Sequence, residues 1–377
     1  MLEFAASSRA SIGVEWELQL VSPTTGELLP VAPAVLQELE WRGGSRGLVH
    51  PEMHQCMLEL VSRPRRRVAE CLADLAEGFE LLAPLLEAQG AAATSAGVHP
   101  FADPLEQAVT ECERYGELVE RTQDWGRQML IFGTHVHVGI DDATRVIPVL
   151  NHLCSYIGHL QALAAASPSW AGRDTGYADN RAMMFQQLPT AGLPEPVDSW
   201  GELEQMLADL VRAGALREFN ELRWDVRPSP RLGTIEIRAC DASSNLLEVG
   251  AVAALTHCLV EEALRLLDAG ESLRRFPHWL LAANKWRSAR YGLEALLVER
   301  RDADPVPVRE SLTQLVRRLE PVAADLGCVE ELAGVLQVLE LGSGAHRQRS
   351  VATQGGTARV VQLLLAETRA GHPLPVT

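Results

Sequence analysis

Two hydrophobic patterns share the chain. Short runs rich in β-branched and other apolar residues, bounded by Gly, Pro or charge, predict strands at 11–21, 56–62, 91–97, 128–140 and 231–240. Between them, Ala/Leu/Glu/Arg stretches with apolar residues at helical spacing predict helices at 67–89, 104–125, 143–166 and 200–214. From about Leu246 onward the pattern is helical almost throughout, at 246–268, 272–297, 306–326, 329–341 and 357–369. "SPTTGE" ends the first strand in a cluster of turn formers. "PTAGLPEP" (189–196) and "VRPSPRLG" (226–233) are the main Pro/Gly interruptions. No repeat and no sharp composition shift divides the chain. The expected fold class is α+β, a mostly antiparallel sheet with helices packed on one side. The expected organisation is a single domain over 1–377, with a sheet-rich core at 11–245 and a mainly helical part at 246–377.

Several of these strands carry charge where an apolar run would not need it. Residues i and i+2 of a strand share a face, roughly 6.5–7 Å apart. "GVEWELQL" therefore puts Glu15 and Glu17 on one face, "GTHVHVG" puts His135 and His137 on one face, and "GTIEIRACD" pairs Glu236 with Arg238. The opposite faces hold β-branched or aromatic residues. "MLELVS" adds Glu59 between Leu58 and Leu60, while Glu52, seven residues earlier, falls on the preceding loop or beyond a bulge. Taken singly, a strand glutamate reads as a solvated surface residue, the H-x-H pair is more often ordinary than metal-binding, and Glu236/Arg238 read as cross-strand ion-pair partners. Were the strands neighbours, carboxylates and imidazoles would converge on one sheet face and repel one another unless cations neutralised them. Oxygen-rich sites with few nitrogens suit Mg²⁺ or Mn²⁺ better than zinc.

Bulk properties narrow the function. The 377 residues are 47% apolar, ample for a large core, and the net charge of −16 argues against nucleic acid or an anionic membrane as partner. The one strong basic run, "RPRRR" at 63–67, reads as solvated. Lys285 is the only lysine, so phosphate contacts from cationic side chains fall to Arg with that single exception. Seven scattered cysteines without a C-x-x-C read as reduced thiols. "MLEFAASSRA" has no signal-peptide pattern and no apolar stretch reaches transmembrane length, so a cytoplasmic protein is expected. Neither a P-loop nor a Gly-rich dinucleotide turn is present, nor a G-x-S-x-G elbow or a kinase motif set. A nucleotide would have to be held through metals on the carboxylate face, with arginines on its phosphates.

"GVEWELQLV", "MLELVS", "GVHPFAD", "FGTHVHVGI", "GRDTGYADNR", "WDVRPSPRLGTIEIRACD", "NKWRSARYGLEA" and "AHRQR" occur in the order and approximate spacing of the YbdK-type carboxylate–amine ligases, the second family of glutamate–cysteine ligases. The chain resembles that family over nearly its whole length. The resemblance implies a glutamine-synthetase-like curved, mostly antiparallel sheet. It also implies ATP-dependent joining of a carboxylate to an amine through an acyl phosphate, as in joining glutamate to cysteine. By the same resemblance, Glu15, Glu17, Glu52, Glu59, His135 and Glu236 are the metal ligands, and Arg238 faces the ATP phosphates. Two positions depart from the family pattern. Trp16 stands where acidic residues are frequent, but on the face opposite the ligands. Gln55 replaces a frequent acidic residue, with Glu52 and Glu59 intact.

Other roles stay open at this stage. Arg173, Asp174 and Arg181 in "GRDTGYADNR" either bind the acid substrate's charged groups or form local ion pairs. Arg227 and Arg231 either reach phosphate or brace the "PSP" turn, and Lys285 serves the nucleotide or helix packing. Glu59, another carboxylate or His137 would take the proton from the attacking amine. The expected partners are small carboxylate and amine substrates, with neither nucleic acid nor membrane, and a homo-oligomer is left open. A metal-dependent hydrolase or phosphotransferase, or a non-catalytic binding protein, are the competing readings.

Overall fold

The computed structural model describes residues 2–45 and 47–376. One sheet of seven strands organises the fold: β1 (Ile12–Val21), β2 (Val49–Pro51), β3 (Met57–Val61), β4 (Ala92–Thr94), β5 (Gly133–Gly139), β6 (Val226–Ser229) and β7 (Thr234–Asp241). The order is β2-β3-β1-β5-β7-β6, with β4 paired to the end of β1, and every pairing is antiparallel. Val14, Trp16 and Leu18 of β1, Leu58 and Leu60 of β3, Val136 and Val138 of β5, and Ile235 and Ile237 of β7 are all buried on the apolar face. The Trp16 indole also donates to the Ser243 carbonyl at 2.8 Å and stacks on Phe79.

The helices of six residues or more among the described residues are α1 (Ala32–Trp41), α2 (Val68–Ala88), α3 (Glu113–Thr122), α4 (Ala143–Cys154), α5 (Ile157–Ala164), α6 (Asn180–Phe185), α7 (Trp200–Arg212), α8 (Leu246–Asp268), α9 (His278–Tyr291), α10 (Val308–Leu326), α11 (Val329–Leu341) and α12 (Gly344–Ala370), and several of them cover that face. Helix α2 packs on β1 and β3, α8 on β1 and β5, and α5 on β7. Helix α8 is buried nearly all round because α11 and α10 cover its outer side. With one face sealed by helices, the polar face of β1, β3, β5 and β7 is left to form a cleft.

The α+β expectation matches this architecture, and the boundaries differ for local reasons. Both sheet edges carry proline, Pro51 in β2 and Pro228 in β6, where a missing N–H does no harm. Those prolines hid both strands from sequence reading. The expected helix 104–125 survives as a short 3₁₀ turn at Pro104–Glu106, α3 and the start of a four-residue helix at Asp124–Arg127, because backbone bonds from Gln55 to Ala108 and from Thr110 to Met53 hold 108–110 extended and Gln123 breaks the helix at φ 52°. The helix expected over 143–166 breaks at Ser155–Tyr156 into α4 and α5. Helix α12 starts earlier than expected and kinks at Gly355 and Gly356, the latter at φ 71°. Helices α1 and α6 were not expected. The "RPRRR" run is not simply solvated: Arg63 and Arg65 both bind Asp74 of α2, Arg65 Nη2 at 2.7 Å. No helix among the described residues is long and apolar enough to cross a membrane.

Candidate active site

Strand register assembles the polar face. Glu15 lies opposite His135, Glu17 opposite Glu59, and Glu236 between His137 on one side and Arg227 on the other. Glu52 follows β2 directly, which brings it beside Glu59 and Glu17. These residues line a cleft of about 340 Å³. Three overlapping groups have ligand atoms within 4.8 Å of one another: Glu15/Glu59/His135, Glu15/His137/Glu236 and Glu17/Glu52/Glu59.

The contacts inside the cluster are specific. His135 Nδ1 lies 3.0 Å from Glu15 Oε2, and His137 Nε2 lies 3.1 Å from Glu15 Oε1 and 3.7 Å from Glu236 Oε1. Thr234 Oγ1 sits 2.9 Å from His137 Nδ1. The backbone N–H of Gly133 donates to Glu17 Oε2 at 2.6 Å. Arg227 reaches Glu236 Oε2 through Nε and Nη2, at 2.9 and 2.7 Å, and Arg238 Nη1 binds Glu236 Oε1. The Tyr115 hydroxyl donates to Glu52 at 3.4 Å.

These contacts divide the carboxylates into two classes. Burial raises Glu15 and Glu236, but the two imidazoles outweigh it at Glu15, and Arg238 and Arg227 outweigh it at Glu236, so both end below the usual carboxylate range. At Glu17 burial wins, helped by the charge of Glu52, and pushes the group up to about 8. Glu59 is pushed well up by burial and by Glu15 and Glu52, and Glu52 rises through burial. Burial and Arg238 take His135 down to about 4, whereas at His137 the charges of Glu236 and Glu15 overcome burial and raise it. The donor set is thus oxygen-rich and self-repelling. Its buried His135 Nε2 makes no hydrogen bond among the described residues, and His137 Nε2 faces only the carboxylates of Glu15 and Glu236. Carboxylates and neutral imidazole at this spacing fit a hard divalent cation.

The profile of Glutamate-cysteine ligase family 2 (GCS2) matches residues 11–362. The chain belongs to this family. A Leifsonia xyli protein provisionally named glutamate–cysteine ligase 2 is 46% identical over 376 residues, covering 98% of this chain and 99% of that protein. An Arthrobacter protein with the provisional name glutamate–cysteine ligase 2-1 is 45% identical, covering 99% of each. Among solved structures, the glutamate–cysteine ligase of Francisella tularensis in complex with AMP matches 97% of this chain and 89% of its own, with TM-score 0.63 at 14% identity. A bifunctional glutathione synthetase from Pasteurella multocida matches 96% of this chain and 52% of its own, with TM-score 0.65 at 14% identity. The shared fold is that of glutamine-synthetase-like ligases, and this member of the ligase family is a carboxylate–amine ligase.

Four residues singled out in the family's motif blocks lie away from the cleft. Arg173 and Asp174 form an exposed two-residue ladder with Ser169–Trp170, and Asp174 is bound by Arg349 of α12 at 2.8 Å. Lys285 is buried on α9 and ion-paired with the buried Asp225, so its charge is already answered. Arg231 is exposed in the turn joining β6 and β7. By contrast Arg181 is buried and lines the cleft, its Nη1 donating to the Arg238 carbonyl at 3.2 Å. The Asp179 side chain caps α6, accepting from the Ala182 N–H at 2.8 Å, and so fixes where Arg181 starts. The structure adds Arg114 and Tyr115 of α3 and Arg223 to the cleft wall. None of the three stood out by spacing, and only the nearness of Arg223 to "VRPSPR" offered a signal.

Proposed function

We propose that this ligase uses ATP to activate a carboxylate as an acyl phosphate, the γ-carboxylate of glutamate being the leading candidate. The acyl phosphate is then attacked by an amine such as cysteine, with release of ADP and phosphate. The observation that carries this reading is the single sheet face on which Glu15, Glu17, Glu52, Glu59, His135, His137 and Glu236 meet two arginines held by Glu236. Phosphoryl transfer between two anions needs positioning and charge neutralisation more than covalent protein chemistry. Mg²⁺ or Mn²⁺ held by these carboxylates and imidazoles would supply that neutralisation.

The chain's own residues do the rest. Glu236 fixes Arg227 and Arg238 in one orientation; Arg227 is further held through Nη1 by the Asn220 and Leu222 carbonyls, so the N–H groups left preorganised for phosphate oxygens are chiefly those of Arg238. Glu15 and Glu236 hold His137 between them, which suits it to a ligand's role more than to that of a base. The proton of the attacking amine is therefore assigned to Glu59, half-buried at the other end of the cluster. Small-molecule acid and amine substrates fit a cleft of this size. A screen for ADP release over acid and amine pairs, with mass spectrometry of the product, tests the reading. ADP release that needs both an acid and an amine supports it, and product formation without ATP overturns it.

A further inference from the structure

The cleft opens beside α3 into a second cavity of about 240 Å³. Arg114, Leu118, Asn220 and Arg223 line both. Most arginines here are answered by a carboxylate: Arg121 by Glu221 at 2.9 Å, Arg217 by Glu117, and Arg227 and Arg238 by Glu236. Arg181, Arg114 and Arg223 are not, and of these Arg181 is tied to the Arg238 carbonyl. Arg114 makes no ion pair or hydrogen bond among the described residues and lies 5.7 Å from the Tyr115 ring centroid. Among the described residues the Arg223 guanidinium donates only to the Glu221 carbonyl, at 3.0 Å. Burial lowers Arg223 to about 10, and the charges of Arg114, Arg238 and Arg121 add to it against the opposing charge of Glu221, which makes no ion pair with it among the described residues.

We infer that Arg223 and Arg114 form a carboxylate subsite at the junction of the two cavities, taking the non-reacting carboxylate of an amino-acid substrate. The inference rests on the ligase reading. A guanidinium fork matches a carboxylate bidentately, and the apolar side chains of Leu118, Met129 and Leu188 along the same wall strengthen such a pair by excluding water. Phosphates have their own arginines on β6 and β7, so the unanswered pair is free for a different anion. An acid-plus-amine reaction on amino acids leaves one such carboxylate unreacted on each substrate, and the subsite holds one of them.

The test compares wild type with Arg223→Ala, Arg223→Lys and Arg114→Gln, each checked for folding by thermal unfolding. Cysteine is set against cysteamine, and glutamate against 4-aminobutyrate, so that each pair differs only in the unreacted carboxylate. The expected result is a KM for one carboxylated substrate raised about 10- to 100-fold in Arg223→Ala, with kcat and the KM for ATP little changed. The decarboxylated partner of that substrate should be used equally by wild type and variant. Arg223→Lys should recover part of the loss, and Arg114→Gln should cost less because Arg114 is exposed. A shift confined to cysteine places the amine's carboxylate in the subsite, and one confined to glutamate places the acid's. A raised KM for ATP, or equal losses with and without the carboxylate, overturns the inference. Should wild type turn over no acid–amine pair, the ligase reading fails. Calorimetric titration of glutamate and cysteine, with Mg²⁺ and a non-hydrolysable ATP analogue, then decides the subsite alone. Wild-type binding lost in Arg223→Ala supports it, and absent or unchanged binding overturns it.

Discussion

Gly133 donates its backbone N–H to Glu17 Oε2 at 2.6 Å, tying the start of β5 to the acidic face of β1. The same residue leaves the space that Arg181 and His135 occupy. A Cβ built on Gly133 would lie 2.3 Å from Arg181 Nη2 and 2.7 Å from His135 Nε2. Backbone approach, not backbone conformation, is what requires glycine here.

Gly133→Ala should therefore fold and fail. Displacing Arg181 and His135 costs about 1–3 kcal/mol, as overpacking does elsewhere. Turnover should fall by about 10²-fold, the penalty for misplacing groups around reacting atoms by an ångström. Thermal unfolding and ADP release read the two effects separately, and wild-type turnover in this variant would remove Arg181 and His135 from the reaction.

Glu15→Gln and Glu236→Gln test the cation cluster without altering side-chain volume. Each should reduce Mg²⁺-dependent ADP release by about 10²–10³-fold or more. A second readout does not depend on turnover. A cation at a hundred times its Kd stabilises the folded state by about 2.7 kcal/mol, so Mg²⁺ should raise the unfolding temperature of wild type. The shift should vanish in both variants. Full turnover by either one sinks the proposed ligand set.

Much of this site is written locally. The i, i+2 pairs Glu15/Glu17, His135/His137 and Glu236/Arg238 share faces because strand side chains alternate, and that much needs no tertiary information. What was not legible depends on partners far along the chain. Sequence leaves Lys285 open between the nucleotide and helix packing, and its partner Asp225 lies 60 residues away. Sequence leaves Asp174 open between substrate and a local ion pair, whereas the partner it has is Arg349, 175 residues away. The edge strand Val226–Ser229 read as an interruption because Pro228 forbids a central strand and not an edge. Arg114 and Arg223 enter the cleft through irregular packing that no periodicity announces.

Asp74 gives the fold a pH-dependent contribution away from the cleft. Burial raises its carboxyl, but Arg65 and the Arg63 N–H outweigh that and hold it below the usual carboxylate range. A depressed carboxylate contributes stability above its unfolded pKa of about 3.9, and the contribution is lost as pH falls through the folded value. Asp74→Asn should lower the urea midpoint at pH 7, and the gap to wild type should close as pH drops below about 4. A gap that stays constant with pH would mean that packing, not charge, explains the loss.

The last comparison separates the two halves of "GRDTGYADNR", which sequence alone treated as one substrate-binding candidate. Arg173→Ala and Asp174→Ala remove exposed groups outside the cleft, so ADP release should stay within about threefold of wild type, as for surface substitutions generally. Removing Asp174 costs its pair with the partly exposed Arg349 and the bond it accepts from the Gly176 N–H, and exposed interactions of this kind contribute little. Arg181 is different: it is buried, lines the cleft, and its Nε has no hydrogen-bond acceptor among the described residues. That unanswered donor points to an anionic group of substrate or nucleotide as its missing acceptor. Arg181→Ala should cost about 10- to 100-fold in kcat/KM, because a charge-assisted bond and the anchor beside Arg238 go together. Arg181→Lys should recover little, since a single ammonium cannot hold both the Arg238 carbonyl and a bound anion in the same geometry. Equal effects from Arg173 and Arg181 would overturn the division and place the whole segment in one binding surface.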